Sequence, residues 1–498
     1  MSELQYNIRV TSGKRELVAI DDFRLTASAI TILFGESGIG KSLSALAIAG
    51  LIDPDQLDAR VNGMPYDEYL RGRDVAAIRN NGFFVFQEPS SHLNPMLTLR
   101  TQIDEGSLAG ASADREILRR LWQGSTEADV EKILDVYPKP YRPSGGEKQR
   151  MLAAMAFKKM STLTPSVPGA LYIFDEPTGN LDNKLRDEFL DLLVENVRAR
   201  NITVLLITHD YSMVSRFTNV YAGLAKRIFY KELLVDRGRL KVRDFKPEEY
   251  LSWLDVRRRR SSNETKQGAI LKLEPHLSVF GRTLTISRDR EGRNPTPLFI
   301  RKGAMSYLKA PSGTGKTTIV KLMMGLLQPQ GMTMQLGSVV FTERTPRALW
   351  AKHVWGRQMT LVFQHADEAL NQNARVEEVF GGLPLTGTMN NARILETLSQ
   401  LFDEKPDREF LRKPVKYLSG GQKQRLNLLR SMVLDTDILI LDEPLNGLDF
   451  ASSVKVIDNL EDKLSSGRSV MVISHNEEIF DALTSPENTY YLQAVDTA

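Results

Sequence analysis

The chain has 498 residues, of which 42% are hydrophobic and 26% are charged, as in globular proteins with two or more domains. Its 65 basic and 62 acidic residues leave a net charge of +3, which argues against a broad coating of nucleic acid. The absence of cysteine excludes disulfides, thiolate zinc sites and iron–sulfur clusters.

The sequence carries no sign of a membrane segment. The N-terminal stretch MSELQYNIRV has no apolar signal core, and no stretch approaches the roughly 20 apolar residues of a spanning helix. We therefore expect a soluble chain without a direct membrane span, which would serve a membrane only through other subunits.

Five short motifs occur twice along the chain, in the same order and 266 to 277 residues apart. They are a glycine-rich lysine loop, a Phe-Gln pair, a Ser-Gly-Gly stretch, an Asp-Glu-Pro stretch and a histidine that closes a strand. Such a repeat predicts a duplicated domain. The paired positions are Lys41 and Lys316, Gln87 and Gln364, Ser144 and Ser419, Glu176 and Glu443, and His209 and His475.

Short apolar runs precede most of these motifs, which predicts strands buried on both faces of a mostly parallel sheet. Helical patterns lie between the runs, so each copy is predicted to be an α/β domain. The predicted strands cover residues 29–34, 171–174, 204–207, 306–308, 438–441 and 470–473.

The sequence also suggests where the domains end. We place a first domain at 1–235, a charged linker at 236–268 and a second domain at 269–498. The linker run Arg257–Arg260 is interpreted as a solvated surface, with contact to acidic lipid or a partner as the alternative. The first copy has an additional stretch, Ser161–Gly169, which is interpreted as an exposed loop.

The first glycine-rich loop matches the phosphate-loop pattern in full and lies between a predicted strand and a helical run, as this motif requires. Glycines allow backbone N–H groups to converge on phosphate oxygens, and the helix dipole favours the negative charge. Lys41 is expected to reach the β- and γ-phosphates, and Ser42 to bind Mg²⁺. The predicted nucleotide-binding residues are Gly35, Glu36, Ser37, Gly38, Ile39, Gly40, Lys41 and Ser42.

The second loop has Ala310 where the pattern has its first glycine. If that position requires a positive φ, alanine costs about 1 kcal/mol there. The rest of the pattern is intact, so we expect this loop to bind nucleotide too. The predicted residues are Ala310, Pro311, Ser312, Gly313, Thr314, Gly315, Lys316, Thr317 and Thr318.

Acidic pairs and histidines follow further predicted strands. The first carboxylate of each pair is expected near Mg²⁺, and the second can accept a proton from, or orient, the attacking water. A histidine after a strand can contact the γ-phosphate. Taken singly, these could be a helix N-cap, a surface glutamate and a structural histidine, but their repetition in one order favours catalysis. The residues are Asp175, Glu176 and His209 in the first copy, and Asp442, Glu443 and His475 in the second.

The stretches SGGEKQR, from Ser144, and LSGGQKQR, from Leu418, resemble the signature motif of ABC ATPases. A serine and two glycines that open a helix also offer a hydroxyl and N–H groups to a γ-phosphate. The resemblance covers nearly the whole chain apart from the linker. It implies two tandem ABC-type P-loop NTPase domains, each a mostly parallel sheet with a helical subdomain.

The resemblance further implies that each ATP lies between the phosphate loop of one domain and the signature of the other, and that hydrolysis releases the two halves. The first site would pair Lys41, Ser42, Gln87, Asp175, Glu176 and His209 with the signature residues Ser419, Gly420, Gly421 and Gln422. The second would pair Lys316, Thr317, Gln364, Asp442, Glu443 and His475 with Ser144, Gly145, Gly146 and Glu147. The implied magnesium ligands are Ser42, Gln87 and Asp175, and Thr317, Gln364 and Asp442. Asp182 and Asp449 resemble the D-loop aspartates that cross the interface.

Two features depart from the family pattern. Pro143 replaces the usual leucine of the first signature, and no clear aromatic residue precedes either phosphate loop to stack on adenine. Lys14 lies near the expected place, and Tyr6 is a weak candidate. Both glutamates and both histidines are present, so we expect two sites that hydrolyse ATP, whose rates need not be equal.

The stretch QEPSSHLNP, from Gln87, resembles the Q-loop region of the oligopeptide, dipeptide and nickel importer ATPases. This implies an importer of peptides, nickel or metal chelates that uses ATP and Mg²⁺. Its implied partners are two transmembrane permease subunits or domains and a solute-binding protein, without nucleic acid. The chain would be cytoplasmic and peripheral on the inner face of the membrane.

Two alternatives stay open. The first copy's DEPTGNLD is similar to the lipoprotein-release ATPases, which are exporters. Soluble ABC translation factors also fuse two cassettes, but their linker is usually a long charged helix, whereas this one contains Pro247 and no sustained heptad.

Overall fold

A computed structural model describes residues 2–105, 111–122, 126–136, 144–163, 170–179, 181, 183–236, 239–261, 268–310, 314–385, 387–402 and 406–496. The chain divides into two compact units, Met1–Gly35 with Ile39–Pro247 and Glu36–Gly38 with Glu248–Ala498. The division falls inside the segment 236–268. Among the described residues, no helix is both long and apolar enough to cross a membrane.

The first unit is an α/β domain. Its strands are β1 (Glu3–Ser12), β2 (Arg15–Thr26), β3 (Ile30–Gly35), β4 (Asp58–Val61), β5 (Met64–Pro65), β6 (Phe83–Val85), β7 (Leu171–Asp175), β8 (Thr203–Ile207), β9 (Ile228–Asp236) and β10 (Arg239–Asp244). Its helices are α1 (Lys41–Ala49), α2 (Tyr66–Leu70), α3 (Arg73–Asn81), α4 (Leu99–Asp104), α5 (Ala111–Leu121), α6 (Glu127–Leu134), α7 (Gly145–Thr162), α8 (Asn183–Ala199) and α9 (Ser212–Asn219).

Two sheets organise this unit. The larger has the order β10-β9-β3-β8-β7-β6 and is parallel except for its β10 edge, and the smaller is antiparallel with the order β2-β1-β4-β5. Strands β3, β7 and β8 are buried throughout, which explains their continuous apolar sequences. Helix α1 contributes Ala45, Ala47 and Ile48 to a core that also contains residues of both sheets.

The second unit repeats this plan. Its strands are β11 (Ala269–Leu273), β12 (His276–Val279), β13 (Arg282–Ser287), β14 (Leu298–Arg301), β15 (Met305–Lys309), β16 (Thr333–Leu336), β17 (Val339–Thr342), β18 (Met359–Val362), β19 (Ile438–Asp442), β20 (Ser469–Ile473) and β21 (Thr489–Asp496). Its helices are α10 (Pro247–Ser261), α11 (Lys316–Met323), α12 (Arg347–His353), α13 (Ala366–Ala369), α14 (Asn391–Leu398), α15 (Arg408–Arg412), α16 (Gly420–Met432), α17 (Phe450–Ser465) and α18 (Glu477–Leu483).

The larger sheet of the second unit has the order β12-β13-β21-β15-β20-β19-β18, with parallel pairing from β21 to β18. The smaller one is antiparallel, β14-β11-β16-β17. Helices α4 to α6 in the first unit, and α13 to α15 in the second, lie between the Phe-Gln pair and the Ser-Gly-Gly stretch, as predicted for a helical subdomain.

The predicted strands are confirmed, each within one residue at either end. Two interpretations need correction. Ser161 and Thr162 belong to helix α7 rather than to a loop, and residues 164–169 lie outside the described chain. The segment 236–268 contains β10, which pairs with β9, and α10. Within that helix Arg257 is buried and pairs with Asp458, so the solvated interpretation of its arginine run is wrong there.

Candidate nucleotide and catalytic sites

The phosphate loops follow β3 and β15 and end at the helices α1 and α11. Gly40 and Gly315 precede these helices with φ of 110° and 104°, a conformation that favours glycine. A Cβ on Gly40 would lie 2.7 Å from Val18 Cγ2, and one on Gly315 would lie 3.3 Å from Leu284 Cδ2. Each glycine is therefore required by its φ, and at Gly40 also by close packing against strand β2.

The first glycine of the pattern differs between the loops. Gly35 has a φ of 146°, and a Cβ there would lie 2.5 Å from the carbonyl oxygen of Leu233. Lys41 Nζ donates to the Gly35 carbonyl at 2.6 Å. Ala310 is not among the described residues with positive φ, so the alanine penalty considered from the sequence does not arise.

The structure describes all the remaining residues of the first phosphate loop but only part of the second. Glu36, Ser37, Gly38 and Ile39 lie in the loop before Gly40, with Ser37 and Gly38 exposed. In the second loop Thr314 and Thr318 are half-buried on either side of Lys316 and Thr317. The predicted residues Pro311, Ser312 and Gly313 lie outside the described part of the chain.

An aspartate at the end of β7 or β19 faces the hydroxyl that follows each loop lysine. Ser42 hydrogen-bonds to Asp175, and Thr317 Oγ1 donates to Asp442 Oδ2 at 2.7 Å. The other oxygen, Oδ1, is buried in both aspartates and has no hydrogen-bond partner among the described residues. Burial raises the pKa of Asp175 to about 6, against a smaller lowering by Ser42, and burial also raises the pKa of Asp442.

Glu176 and Glu443 share an unusual backbone. Their φ angles are 47° and 50°, a left-handed conformation that costs roughly 1–3 kcal/mol in a residue other than glycine. Their backbone N–H groups donate to the carbonyls of Ile207 and Ile473, at 3.0 and 2.8 Å. The strained turn directs each carboxylate to the strand that ends at the histidine, and strain of this kind is concentrated at functional sites.

In the first unit the histidine pairs with the glutamate. His209 Nδ1 lies 2.8 Å from Glu176 Oε1. Burial alone would raise the pKa of Glu176, but the charge and hydrogen bond of His209, together with the charge of Lys41, lower it. Burial would likewise lower the pKa of His209, but Glu176 raises it above its usual value. The pair is therefore an ion pair that favours an ionised carboxylate.

In the second unit the corresponding glutamate lies farther from the histidine ring, with 3.4 Å between His475 Nε2 and Glu443 Oε1, and it has additional partners. Glu443 Oε2 accepts from Ser474 Oγ at 2.9 Å and from the backbone N–H of His475 at 3.0 Å. Lys316 Nζ lies 3.4 Å from Glu443 Oε1 and contacts the ring of His475. Burial lowers the pKa of Lys316, while the charge of Glu443 opposes that shift.

Gln87 and Gln364 follow strands β6 and β18 by two residues. The residues before them accept hydrogen bonds from the helices that begin at the Ser-Gly-Gly stretches. Gln149 Nε2 donates to the Phe86 carbonyl at 3.3 Å, and Asn427 Nδ2 donates to the Phe363 carbonyl at 3.1 Å.

A matched pair of lysines makes the same connection. Lys148 Nζ contacts Ser90 Oγ at 3.0 Å, and Lys423 Nζ pairs with Asp367 at 2.8 Å. Each Phe-Gln turn is thus fixed to the start of a Ser-Gly-Gly helix.

The serines of the Ser-Gly-Gly stretches cap these helices. Ser144 accepts the N–H of Glu147 and donates its own N–H to the Glu147 carboxylate, a reciprocal capping box. Ser419 and Gln422 form the same arrangement. Gly145, Gly146, Gly420 and Gly421 follow as the first helical residues. Both helix N-termini carry favourable dipoles for an anion, but only the first has a carboxylate in the cap.

A family model described as ABC transporter matches residues 19–179 and 294–446, which together exceed half of the chain. The chain belongs to the ABC transporter family. It therefore binds ATP and is an ATPase. The two matches confirm the predicted pair of ABC domains.

Related proteins match over nearly the whole chain. The peptidoglycan transport ATP-binding protein YejF of Agrobacterium fabrum is 27% identical, covering 97% of this chain and 90% of its own. The glutathione import ATP-binding protein GsiA of Escherichia coli O157:H7 is 24% identical, covering 98% and 84%. Among solved structures, an RNase-L inhibitor matches with a TM-score of 0.62 at 16% identity, covering 97% of this chain and 89% of its own. That identity shows a shared fold alone.

The ABC cassettes differ in residues that the sequence patterns did not identify. Phe280 and Gly281 form the two-residue turn of the β12–β13 hairpin, with φ of 50° and 69°, and Phe280 is 74% exposed. Leu284 packs at Gly315 as Val18 packs at Gly40, and Phe280 lies four residues before Leu284 as Lys14 lies four before Val18, although by position in the two-residue turn Phe280 matches Gly13.

The sequence search missed Phe280 because of its spacing. It lies 36 residues before Lys316, whereas Lys14 lies 27 residues before Lys41. Counting four residues back from the side chain that packs on the loop glycine, rather than 27 back from the lysine, leads to Phe280. Tyr6, the weak candidate, is buried in the core, and burial raises its pKa to about 12, so it does not face a nucleotide.

Of the two predicted D-loop aspartates, the structure describes Asp449, in the second cassette. Asp449 caps helix α17 by accepting the N–H of Ser452 at 2.7 Å. Asp182 and Pro143 lie outside the described residues.

Proposed function

We propose that this ATPase powers an importer for peptides, nickel or metal chelates, working with two separate membrane permease subunits or domains and a solute-binding protein. The observation that carries the proposal is that, in each unit, a loop lysine, a hydroxyl, an aspartate, a glutamate and a histidine meet at the ends of the parallel strands. The import function is supported by relatives named for peptidoglycan transport and glutathione import, which align with nearly the whole chain.

The two cassettes supply the same catalytic roles. Lys41 and Lys316 bind the β- and γ-phosphates. Glu176 and Glu443 accept a proton from, or orient, the attacking water, and the strained backbone supports this role because it directs the carboxylates. His209 and His475 contact the γ-phosphate and hold the glutamate in line. Gln87 and Gln364 are proposed to join the metal site.

The magnesium sites are proposed at Ser42 with Asp175 and at Thr317 with Asp442. The partnerless, buried Oδ1 of each aspartate fits a cation, and the hydroxyl beside it is a second oxygen donor. No group of three or more His, Asp or Glu side chains that could hold a metal occurs among the described residues. We propose that one carboxylate and the substrate phosphates hold the metal. The ion would neutralise charge on the phosphates and polarise the γ-phosphoryl group.

Each ATP is proposed to contact both cassettes, as family membership and the duplicated motifs suggest. Ser419, Gly420 and Gly421 would meet the phosphate bound by Lys41, and Ser144, Gly145 and Gly146 that bound by Lys316. The capped helix N-termini support this because their N–H groups and dipoles suit a γ-phosphate. Asp182 and Asp449 would lie near this interface.

Phe280 is proposed to stack on the adenine of the second site. A phenylalanine in a left-handed turn pays a conformational penalty, and an exposed ring recovers little of it by packing. A ligand that covers the ring would offset that penalty. Lys14 offers no ring at the corresponding place, so the first site would hold adenine without such stacking.

The proposed location is cytoplasmic and peripheral, on the inner face of the cell membrane. The test is purification of a tagged chain from gently solubilised membranes of its own host. We expect two permeases to co-purify and their yield to survive nuclease treatment. Ribosomal proteins without permeases would instead support a soluble translation factor and overturn the importer.

A transport assay provides the functional measurement. Deletion of the gene is expected to abolish uptake of short peptides or of a nickel chelate. Complementation with the wild-type chain should restore it, and complementation with a chain carrying both Glu176→Gln and Glu443→Gln should not. Normal uptake of all these cargoes in the deletion strain would contradict the proposal.

A further inference from the structure

Two adjacent carboxylates follow His475 at the start of helix α18, and each is held by a different part of the second unit. Glu477 Oε2 lies 2.7 Å from Arg290 Nη2 and 3.3 Å from Lys309 Nζ. Its backbone N–H donates to the His475 carbonyl at 2.8 Å. Movement of this helical turn would therefore move the histidine with it.

The second carboxylate, Glu478, is held by helix α10. Tyr250 is fully buried, and its hydroxyl donates to Glu478 Oε2 at 2.9 Å. Arg258 Nη2 lies 3.3 Å from Glu478 Oε1. Both contacts come from a segment outside the ATPase motifs, which the sequence predicted as a linker.

Helix α10 is itself firmly attached to the unit. Tyr250 and Trp253 pack against Phe450, with ring centroids 5.8 and 5.6 Å away. Arg257 is buried, pairs with Asp458, and lies 3.7 Å from Glu461 on the same helix, α17. Helix α10 can therefore transmit a fixed position to α18.

The first cassette holds the matching turn by other means. Tyr211 follows His209 as Glu477 follows His475, and its ring stacks on Phe34 with centroids 4.4 Å apart. Its hydroxyl donates to Glu232 at 3.0 Å. In the first unit, aromatic packing therefore holds the turn after the histidine, whereas ion pairs and hydrogen bonds hold it in the second.

We propose that Tyr250 and Arg258 are positioning residues for the second ATPase site, acting through Glu478 to set the place of His475. Helix α18 has only seven residues, and its cap, Asn476, makes no side-chain capping hydrogen bond. External partners are then needed to fix its first turn. The inference rests on the proposed contact between His475 and the γ-phosphate.

The test compares two conservative substitutions on α10 in the full chain. Tyr250→Phe removes the hydroxyl that reaches Glu478 but keeps the ring. Trp253→Phe trims the neighbouring ring, which packs on Phe450 without a recorded contact to Glu478. We expect Tyr250→Phe to lower kcat about threefold to tenfold with little change in KM, because small displacements of catalytic groups slow chemistry. Trp253→Phe should lower Tm and leave kcat nearly unchanged.

Each substitution is then repeated in a chain with one catalytic glutamate replaced. Tyr250→Phe should lower kcat in the Glu176→Gln chain, where the second site works, and not in the Glu443→Gln chain. Equal losses in both chains, unchanged kcat everywhere, or the same kcat loss with Trp253→Phe would overturn the inference.

The proposed function can fail separately. A Glu176→Gln chain without turnover, or a His475→Ala chain with full turnover, would contradict the roles proposed for the sites. In the first case, the comparison of Tyr250→Phe with Trp253→Phe in the otherwise native chain would still decide whether the hydroxyl affects kcat.

Discussion

The two catalytic centres have the same motif residues but different partners for the catalytic glutamate. In both, the glutamate sits in a left-handed turn at the end of a buried strand. The ring of His209 pairs with Glu176 at 2.8 Å, whereas the ring of His475 lies 3.4 Å from Glu443, which also accepts from Ser474 and lies beside Lys316. Duplicated motifs therefore reproduce backbone placement more faithfully than electrostatics, because side-chain rotamers decide which charged groups meet.

The same holds for nucleotide contacts. The hairpin near the phosphate loop presents Lys14 in one unit and Phe280 in the other, and the signature caps carry Glu147 and Gln422. We infer two sites that perform one reaction with unequal affinity and pH dependence. Four sets of substitutions test that comparison.

The largest expected effect comes from the catalytic glutamates. A general base contributes about 10²–10⁴-fold to rate, so a chain with both Glu176→Gln and Glu443→Gln should lose at least about 100-fold in turnover. Each single substitution should leave a measurable and different residual rate. Steady-state phosphate release measures this, with Glu195→Gln, an exposed partner of Arg120, as the control. If either single substitution leaves turnover unchanged, two-site competence is wrong.

Phe280→Ala is expected to raise the KM for ATP about fivefold or more at the second site. Base–aromatic stacking contributes about 1–3 kcal/mol, which alanine removes. Measurement in the Glu176→Gln chain isolates this site, and Phe280→Trp is the control that should retain affinity.

The same position allows a separate test of strain. Phe280→Gly should raise Tm while also raising KM, because glycine relieves the left-handed conformation and removes the ring. A KM unaffected by Phe280→Ala would exclude the stacking role.

The fold and the motif positions could be predicted because they depend on short-range physics. Buried parallel strands such as β8 and β20 are continuous apolar runs, and Gly40 precedes Lys41 because the turn requires positive φ. The partners of Glu443 could not be predicted. They depend on the side-chain rotamers of Lys316 and Ser474, which no local pattern specifies.

Long-range packing also limited the sequence analysis. The charged run in α10 reads as a solvated surface from its local sequence. Arg257 is nevertheless buried, because it pairs with Asp458, about 200 residues later in the chain, and no local pattern reveals that partner. The proposed role of Phe280 could not be predicted from its spacing, because the connection 288–297 lengthens its distance from Lys316.

The ion pair of the first unit predicts a pH-dependent stability that the second need not share. Glu176 raises the pKa of His209 above its usual value of about 6.5, so this stabilisation is present below that pH and is lost as pH rises through the raised pKa. The stabilisation by the ion pair is also lost in acid, as pH falls through the lowered pKa of Glu176. The window therefore lies between roughly pH 4.5 and 6.5.

His209→Gln should lower Tm most within that window, by about 3 °C, and progressively less as pH rises through the raised pKa of the native histidine. Thermal unfolding at several pH values measures the difference from the wild-type chain, and His353→Gln serves as a control at a histidine outside both sites. A difference that grows steadily toward pH 9 would contradict the ion pair.

The smallest expected effect comes from exchanging the signature caps. Glu147→Gln keeps a side-chain acceptor for the Ser144 N–H but removes a negative charge from the helix end proposed to face the γ-phosphate. We expect about twofold tighter ATP binding at the second site and almost no change in Tm, since exposed charges are screened.

The reciprocal Gln422→Glu should weaken binding at the first site by a similar factor. The two substitutions should respond oppositely to added salt, since only the charge differs. Shifts of equal sign for both would mean that the caps do not face nucleotide phosphates, and the proposed pairing of each signature with the opposite phosphate loop would lose its electrostatic support.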